Sequence, residues 1–208
     1  MTLLEQSTLS SKKVIIFDLD GTIVRLTADW HSLVKALNAR YYEKNKKKGG
    51  FHRISNLLND IVTQGEEEEL QYNFNIIQQY ELENIKKTEP IKDVIFFINN
   101  RASFGVNSAA RLAIFSLNTK ATIRKSLEIS GLVKEFDFYV GREDVRAWKP
   151  EPDGILKIRD FFQVSNEDII YFGDLKIDLL AGKNAGVDSY IIDELLKYIR
   201  KFKKDSKI

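Results

Sequence analysis

The chain has 208 residues, 43% of them hydrophobic, with 32 Lys and Arg against 30 Asp and Glu, a formal net charge of +2. That length suits one full core, and that balance gives no overall electrostatic case for a nucleic acid or an anionic membrane as partner. Cysteine is absent, which excludes a disulfide framework and a thiolate metal site, and no apolar run approaches the roughly 18 residues of a membrane span. Met1 to Lys13 also lacks the basic start and apolar run of a signal peptide, so the expectation is a soluble, cytoplasmic protein.

In chain order, Val14-Ile15-Ile16-Phe17 is a four-residue apolar run of the kind buried on both faces of a parallel sheet. It leads into Asp18-Leu19-Asp20-Gly21-Thr22. If the chain stays extended through Leu19, the two-residue period sends Asp18 and Asp20 to one side and Leu19 to the other. Gly21 then allows a tight departure.

The pattern next turns helical. Trp30, Leu33, Val34, Leu37 and Tyr41 follow i, i+3, i+4, i+7 spacing, with Thr27 or Asp29 available as the cap. Lys44 to Gly50 is a charged turn, read as a solvated helix end. Phe51 to Val62 gives a second helix ending near Gly65, and Glu66 to Glu69 open a third, with Leu70, Phe74, Ile77 and Leu82 along it. The four glutamates read as a dipole-stabilising solvated face rather than a cation site. His31 and His52 lie in this span, and neither is assigned a chemical role.

From Pro90 onward helix and strand alternate. Helices are expected over Ile91 to Asn100, Lys120 to Ser130, Pro152 to Phe162, Asp178 to Asn184 and Glu194 to Phe202. Strands are expected over Leu112 to Phe115, Phe136 to Val140, Asp168 to Phe172 and Val187 to Ile192. Arg101 to Ala110 reads as a loop with an extended piece, and Lys201 to Lys207 as a basic, frayed tail. Alternation of this kind implies an α/β fold, a doubly wound, Rossmann-like parallel sheet with right-handed crossovers. The expected division is a catalytic core over residues 1–24 and 90–208 with a small all-helical cap inserted at 25–89.

Three strand ends carry residues whose chemistry converges. The first has Asp18 and Asp20, the second Ser116 and Asn118, and the last Asp174 with Asp178 one helical turn on. Lys149 stands between them in Lys149-Pro150-Glu151-Pro152, where two prolines fix the backbone. Carboxylates in oxygen-only company suit Mg2+, and a hydroxyl, an amide and a lysine are donors for a phosphoryl group. Taken singly, Ser116 and Asn118 could cap the helix beginning near Lys120, and Lys149 could be a surface lysine. Their order and spacing favour a shared site.

Taken together, Asp18-Leu19-Asp20-Gly21-Thr22, Ser116 after an apolar strand, Lys149-Pro150, and Gly173-Asp174-x-x-x-Asp178 resemble the four motifs of the haloacid dehalogenase superfamily, in order. The position of the insertion is similar to that of the helical cap in phosphoglycolate phosphatase and β-phosphoglucomutase-like members. One departure is visible. Those relatives often have Asn directly after the motif Ser or Thr, whereas Leu117 here precedes Asn118.

The resemblance implies a Mg2+-dependent phosphatase acting on a small phosphorylated metabolite. Asp18 would be the nucleophile and Asp20 the general acid and base. Ser116, Leu117 through its N–H, Asn118 and Lys149 would meet the phosphoryl group, and Asp18, Asp20 through its carbonyl, Asp174 and Asp178 would serve the metal. A phosphomutase of the β-phosphoglucomutase type and a catalytically retired phosphometabolite-binding module are the alternatives.

Overall fold

The computed structural model describes residues 4–46 and 50–206. Lys47, Lys48 and Gly49 of the charged turn and Lys207 of the tail lie outside the described residues. A short helix α1 (Gln6–Ser10) precedes strand β1 (Val14–Phe17), and a two-residue strand β2 (Val24–Arg25) follows the first carboxylates. Three helices come next: α2 (Trp30–Asn45), α3 (Ile54–Thr63) and α4 (Glu67–Glu83). The chain then returns through β3 (Glu89–Pro90) and runs on as α5 (Lys92–Asn99), β4 (Arg111–Phe115), α6 (Lys120–Ser130) and β5 (Phe138–Val140). It ends with α7 (Asp153–Phe162), β6 (Ile169–Gly173), α8 (Lys176–Ala185), β7 (Asp188–Ile191) and α9 (Ile192–Asp205).

The main sheet has the order β5-β4-β1-β6-β7, and every adjacent pair is parallel. Strand β1 is therefore central, and the chain winds to one side of it through β4 and β5 and to the other through β6 and β7. This is the doubly wound α/β fold, in which ligand crevices form beyond the carboxyl ends of the strands.

The period of two along β1 divides the interior. Ile15 and Phe17 face a layer built with α5, α6 and α9, whereas Val14 and Ile16 face the layer of α7 and α8. Phe17 is the aromatic centre of its layer, stacked on Phe172 at 5.6 Å and edge-on to Phe97 and Phe136. Leu33, Leu37, Leu57, Leu58, Leu70 and Ile77 of the inserted helices join the second layer's apolar cluster, and Phe74 meets Trp148 edge-on at 6.3 Å. The insertion leaves and returns through the antiparallel pair Val24↔Pro90 and Arg25↔Glu89.

Several local expectations are corrected. The basic tail is helical to Asp205, because Phe202 packs on Phe104 at 4.2 Å and Lys203 pairs with Asp93 at 2.7 Å. The four glutamates opening α4 are not uniformly solvated. Glu69 is buried and takes a two-pronged contact from Arg40, with both distances 2.8 Å. The loop after α5 opens with a turn of 3-10 helix over Arg101–Phe104, and α8 begins at Lys176, ahead of Asp178. Asp29, rather than Thr27, caps α2 by accepting from the Ser32 N–H at 2.9 Å. Among the described residues no helix is long and apolar enough to cross a membrane.

Candidate active site

The loops after β1, β4, β5 and β6 meet at one rim of the sheet, under the inserted helices, around a cleft of about 570 Å3. Asp18, Asp20, Ser116, Leu117, Asn118, Lys149, Asp174 and Asp178 all line it, joined by Trp30 and Val34 of α2 and by residues 52–55 at the start of α3.

Asp18 follows β1 directly, its N–H donating to the Phe172 carbonyl at 2.8 Å, so the strand pairing itself carries it to the rim. Leu19 turns the other way into the core, and the chain then doubles back: Gly21, at φ +78°, donates its N–H to the Val24 carbonyl at 2.7 Å. That turn brings the Leu26 N–H to 2.8 Å from Asp20 Oδ1, which fixes the second carboxyl beside the first.

Lys149 is buried and donates to Asp18 Oδ1 at 2.7 Å and to Asp178 Oδ1 at 2.8 Å. Its ammonium also lies over the faces of Phe115 and Tyr171, 4.7 and 5.4 Å from the ring centroids. Asp178 is held further by the Tyr171 hydroxyl at 2.7 Å and by the Leu175 N–H at 2.9 Å. Two glycines make room for the later pair of acids. A Cβ on Gly21 would stand 2.3 Å from Asp174 Oδ2, and one on Gly173 would stand 2.3 Å from Asp178 Cγ.

The electrostatics follow from this crowding. Burial raises the Asp18 carboxyl to about 7, with Lys149 opposing and Asp178 and Asp174 adding repulsion. Burial and then Asp178 raise Asp174 to about 6. Asp20 is raised by burial, against the pull of the Leu26 and Gly21 N–H groups. Burial works against the Lys149 ammonium, but Asp18 and Asp178 together hold its pKa above the ordinary lysine value. Burial opposes the Asp178 anion too, yet Lys149 and its hydrogen-bond donors leave that carboxyl below the ordinary range.

At the end of β4, Ser116 Oγ donates to Asn118 Oδ1 at 2.9 Å and accepts from the Asn118 N–H at 3.2 Å. The carboxamide nitrogen of Asn118 donates to Glu81 Oε1 at 3.0 Å. Neither Ser116 nor Asn118 caps α6. The cap is Glu81, near the end of α4, whose Oε2 accepts from the Thr119 N–H and from the Thr119 and Thr122 hydroxyls at 2.9, 2.8 and 2.7 Å.

Glu81 is one residue the sequence reasoning missed, although a signal existed. Leu70, Phe74, Ile77 and Glu81 share the buried face of α4, so an acid stands on an apolar stripe. Arg142 is the other. It is buried in the loop after β5, lines the cleft, and stood unremarked in the charged run Arg142-Glu143-Asp144.

Among the described residues no three carboxylate, imidazole or thiolate side chains stand grouped as a metal cage. Lys149 lies between Asp18 and Asp178, and the oxygens of Asp178 are engaged by protein donors.

The family model described as haloacid dehalogenase-like hydrolase matches residues 15–192. A pyrophosphatase PpaX from Halalkalibacterium halodurans is 27% identical over 199 residues, covering 92% of this chain and 89% of that protein. A phosphoglycolate phosphatase from Aquifex aeolicus is 29% identical over 180 residues, covering 84% and 81%. The fold is shared with a solved structure, a HAD-superfamily hydrolase of subfamily IA, variant 1, from Geobacter sulfurreducens, at TM-score 0.54 and 18% identity, over 86% of this chain and 88% of that one. The match spans both acid-bearing strand ends, the serine and the lysine, and the chain belongs to the haloacid dehalogenase-like hydrolases.

Proposed function

We propose that the protein hydrolyses small phosphorylated metabolites with the help of a divalent cation, through a covalent aspartyl phosphate, an acyl phosphate on Asp18. The observation that carries this reading is the Lys149 ammonium, buried and shared between Asp18 and Asp178 at the rim where Asp20, Ser116 and Asp174 also converge. Such an arrangement offers an anionic oxygen to attack phosphorus and donors to meet the charge that spreads over the phosphoryl oxygens.

In the first displacement the Asp18 carboxylate attacks phosphorus in line, and the bond to the leaving oxygen breaks as that oxygen takes a proton from Asp20. Asp20 suits this role because burial makes its carboxyl more basic than usual, which favours its taking part in proton transfer. In the second displacement Asp20 takes a proton from water as the water oxygen attacks the same phosphorus, releasing phosphate and regenerating Asp18. Ser116 Oγ, the Leu117 N–H and Lys149 donate to the phosphoryl oxygens. Asn118, whose carboxamide is taken up by Ser116 and Glu81, orients the serine rather than touching substrate. Asp178 serves to aim Lys149.

The family implies a divalent cation, and the residues present fit one. Asp18 and Asp174 are raised by burial and by neighbouring carboxylates, a state that a nearby cation relieves. Asp18, Asp174 and the main-chain carbonyl of Asp20 would hold Mg2+, which prefers few carboxylates with waters and a substrate phosphate completing its shell. When bound, the ion supplies charge neutralisation at the phosphoryl oxygens and keeps Asp18 anionic. Residues 25–89 act in this scheme as a cap whose α2 and α3 face the leaving group.

The test is Asp18→Asn assayed on an aryl phosphate with Mg2+. Turnover is expected to fall by about 10^3-fold or more with the far-ultraviolet circular dichroism unchanged, since an amide neither attacks phosphorus in this way nor carries the anion. Excess chelator is expected to silence the wild type. A loss under tenfold in the variant would remove Asp18 from the nucleophile's place, and full activity in chelator would remove the metal.

A further inference from the structure

Arg142 is fixed through its main chain and unanswered at its side chain. Its N–H donates to the Asn118 carbonyl and its carbonyl accepts from Trp148 Nε1, both at 2.9 Å. The residue is only 4% exposed and lines the cleft, yet its guanidinium Nε and Nη1 are buried without a hydrogen-bond acceptor. Among the described residues no carboxylate lies within ion-pair distance of it.

The carboxylates whose charge acts on it are Glu81 and Glu143. Glu81 is taken up by Asn118, Thr119 and Thr122, and Glu143 accepts from the Lys120 N–H through Oε1 while its Oε2 also goes unpaired. Burial lowers the pKa of the guanidinium, and these two carboxylates oppose that shift without giving its buried nitrogens a hydrogen-bond acceptor. A buried cation left this way bears the full cost of desolvation, and a ligand that fills its donors recovers that cost. Two more basic side chains, Arg53 and Lys176, line the same cleft and enter no ion pair among the described residues.

We propose that Arg142 binds a second anionic group of the substrate, so that the substrate carries two anions, the phosphoryl group that is transferred and a further phosphate or carboxylate. This rests on the phosphatase reading above and narrows its substrate class. The planar fork of a guanidinium suits either oxyanion, since both accept two parallel N–H bonds. The first anion belongs beside Asp18 and Lys149, and the second at Arg142, which lines the same cleft.

The experiment compares wild type, Arg142→Met and Arg142→Lys on phosphoglycolate, which adds a carboxylate, and on inorganic pyrophosphate, which adds a phosphate. Ethyl phosphate is the reference, similar in size and without a second anion. The ratio of kcat/KM for a two-anion substrate over ethyl phosphate is expected to fall tenfold or more in Arg142→Met and to be partly restored in Arg142→Lys. Whichever probe loses the ratio identifies the second group.

In parallel, calorimetric titration of Asp18→Asn protein with each two-anion probe, with and without Arg142→Met, reads binding apart from turnover. A tenfold weaker affinity on losing Arg142 supports the assignment. Ratios and affinities within twofold of wild type in folded variants overturn it, as does wild-type indifference to the second anion. Failure of wild type to hydrolyse any ester overturns the phosphatase reading instead, and titration of wild-type protein then decides Arg142 alone.

Discussion

Lys149 and Arg142 stand in the same loop after β5, each 4% exposed and each lining one cleft, but they are opposites in company. Lys149 has two carboxylates within 2.8 Å and two aromatic faces around it. Arg142 has a fixed backbone and a guanidinium with two orphaned nitrogens. The cation beside the proposed reacting carboxylate is assembled before anything binds. The other is held in position with its donors open. The contrast separates two uses of buried charge, one that orders the protein's own acids and one that waits for an acid from outside.

The largest expected effect comes from the satisfied partner. Lys149→Met leaves Asp18 and Asp178 buried without their counter-ion, and breaking a buried pair in this way costs about 3–5 kcal/mol. Activity on an aryl phosphate should fall by about 10^2–10^3-fold, the scale of losing a donor to a developing charge. Urea denaturation and steady-state kinetics check both. A variant as stable as wild type with kcat within threefold would break the comparison at its first term.

The intermediate effect comes from Glu81, the acid that touches neither cation. Glu81→Ala strips the cap from α6 and orphans the Thr119 N–H, so denaturation should report a loss of about 2 kcal/mol. A loss under about 0.5 kcal/mol would mean that α4 and α6 are joined by apolar packing alone.

The smallest effect is the sharpest. Arg142→Met replaces an unanswered buried cation by an apolar side chain of similar reach, so stability should change by less than about 1 kcal/mol, or rise. A loss above about 3 kcal/mol would show that Glu81 and Glu143 hold the guanidinium as a structural pair, and the contrast with Lys149 would disappear.

The same pair shows what could be read from the chain beforehand. The core was legible because β1 is a run of four apolar residues and the alternation continues through Asp18, Leu19 and Asp20. Leu19 is buried against the core, and both acids line the cleft. Lys149 stood out because Pro150 and Pro152 follow it and because it falls in order between the serine after β4 and the acids after β6. Arg142 did not, since Arg-Glu-Asp in a loop looks like a solvated turn, and its burial depends on the Trp148 indole and the Asn118 main chain closing around it.

Glu81 escaped for a related reason. Its partners begin 37 residues further on, so no local pattern contains them, and only its place in line with Leu70, Phe74 and Ile77 marks it. Glu69 is the fourth of four glutamates. Nothing in that run says which one turns toward Arg40, because the choice is made by where α2 lies.

The absent side chains of Gly21 and Gly173 bear on how such a site can be inherited or rebuilt. Asp174 occupies space that any residue but glycine would fill at position 21, although the two positions lie on different strand ends, and Asp178 stands in the same relation to position 173. The acid-bearing turn after β6 is therefore not a portable module. Grafted onto another parallel sheet, it would need a glycine vacancy on the neighbouring strand end to receive its first carboxylate. A graft lacking that vacancy would carry the right letters with the acid displaced, so the strand ends have to be exchanged as a set.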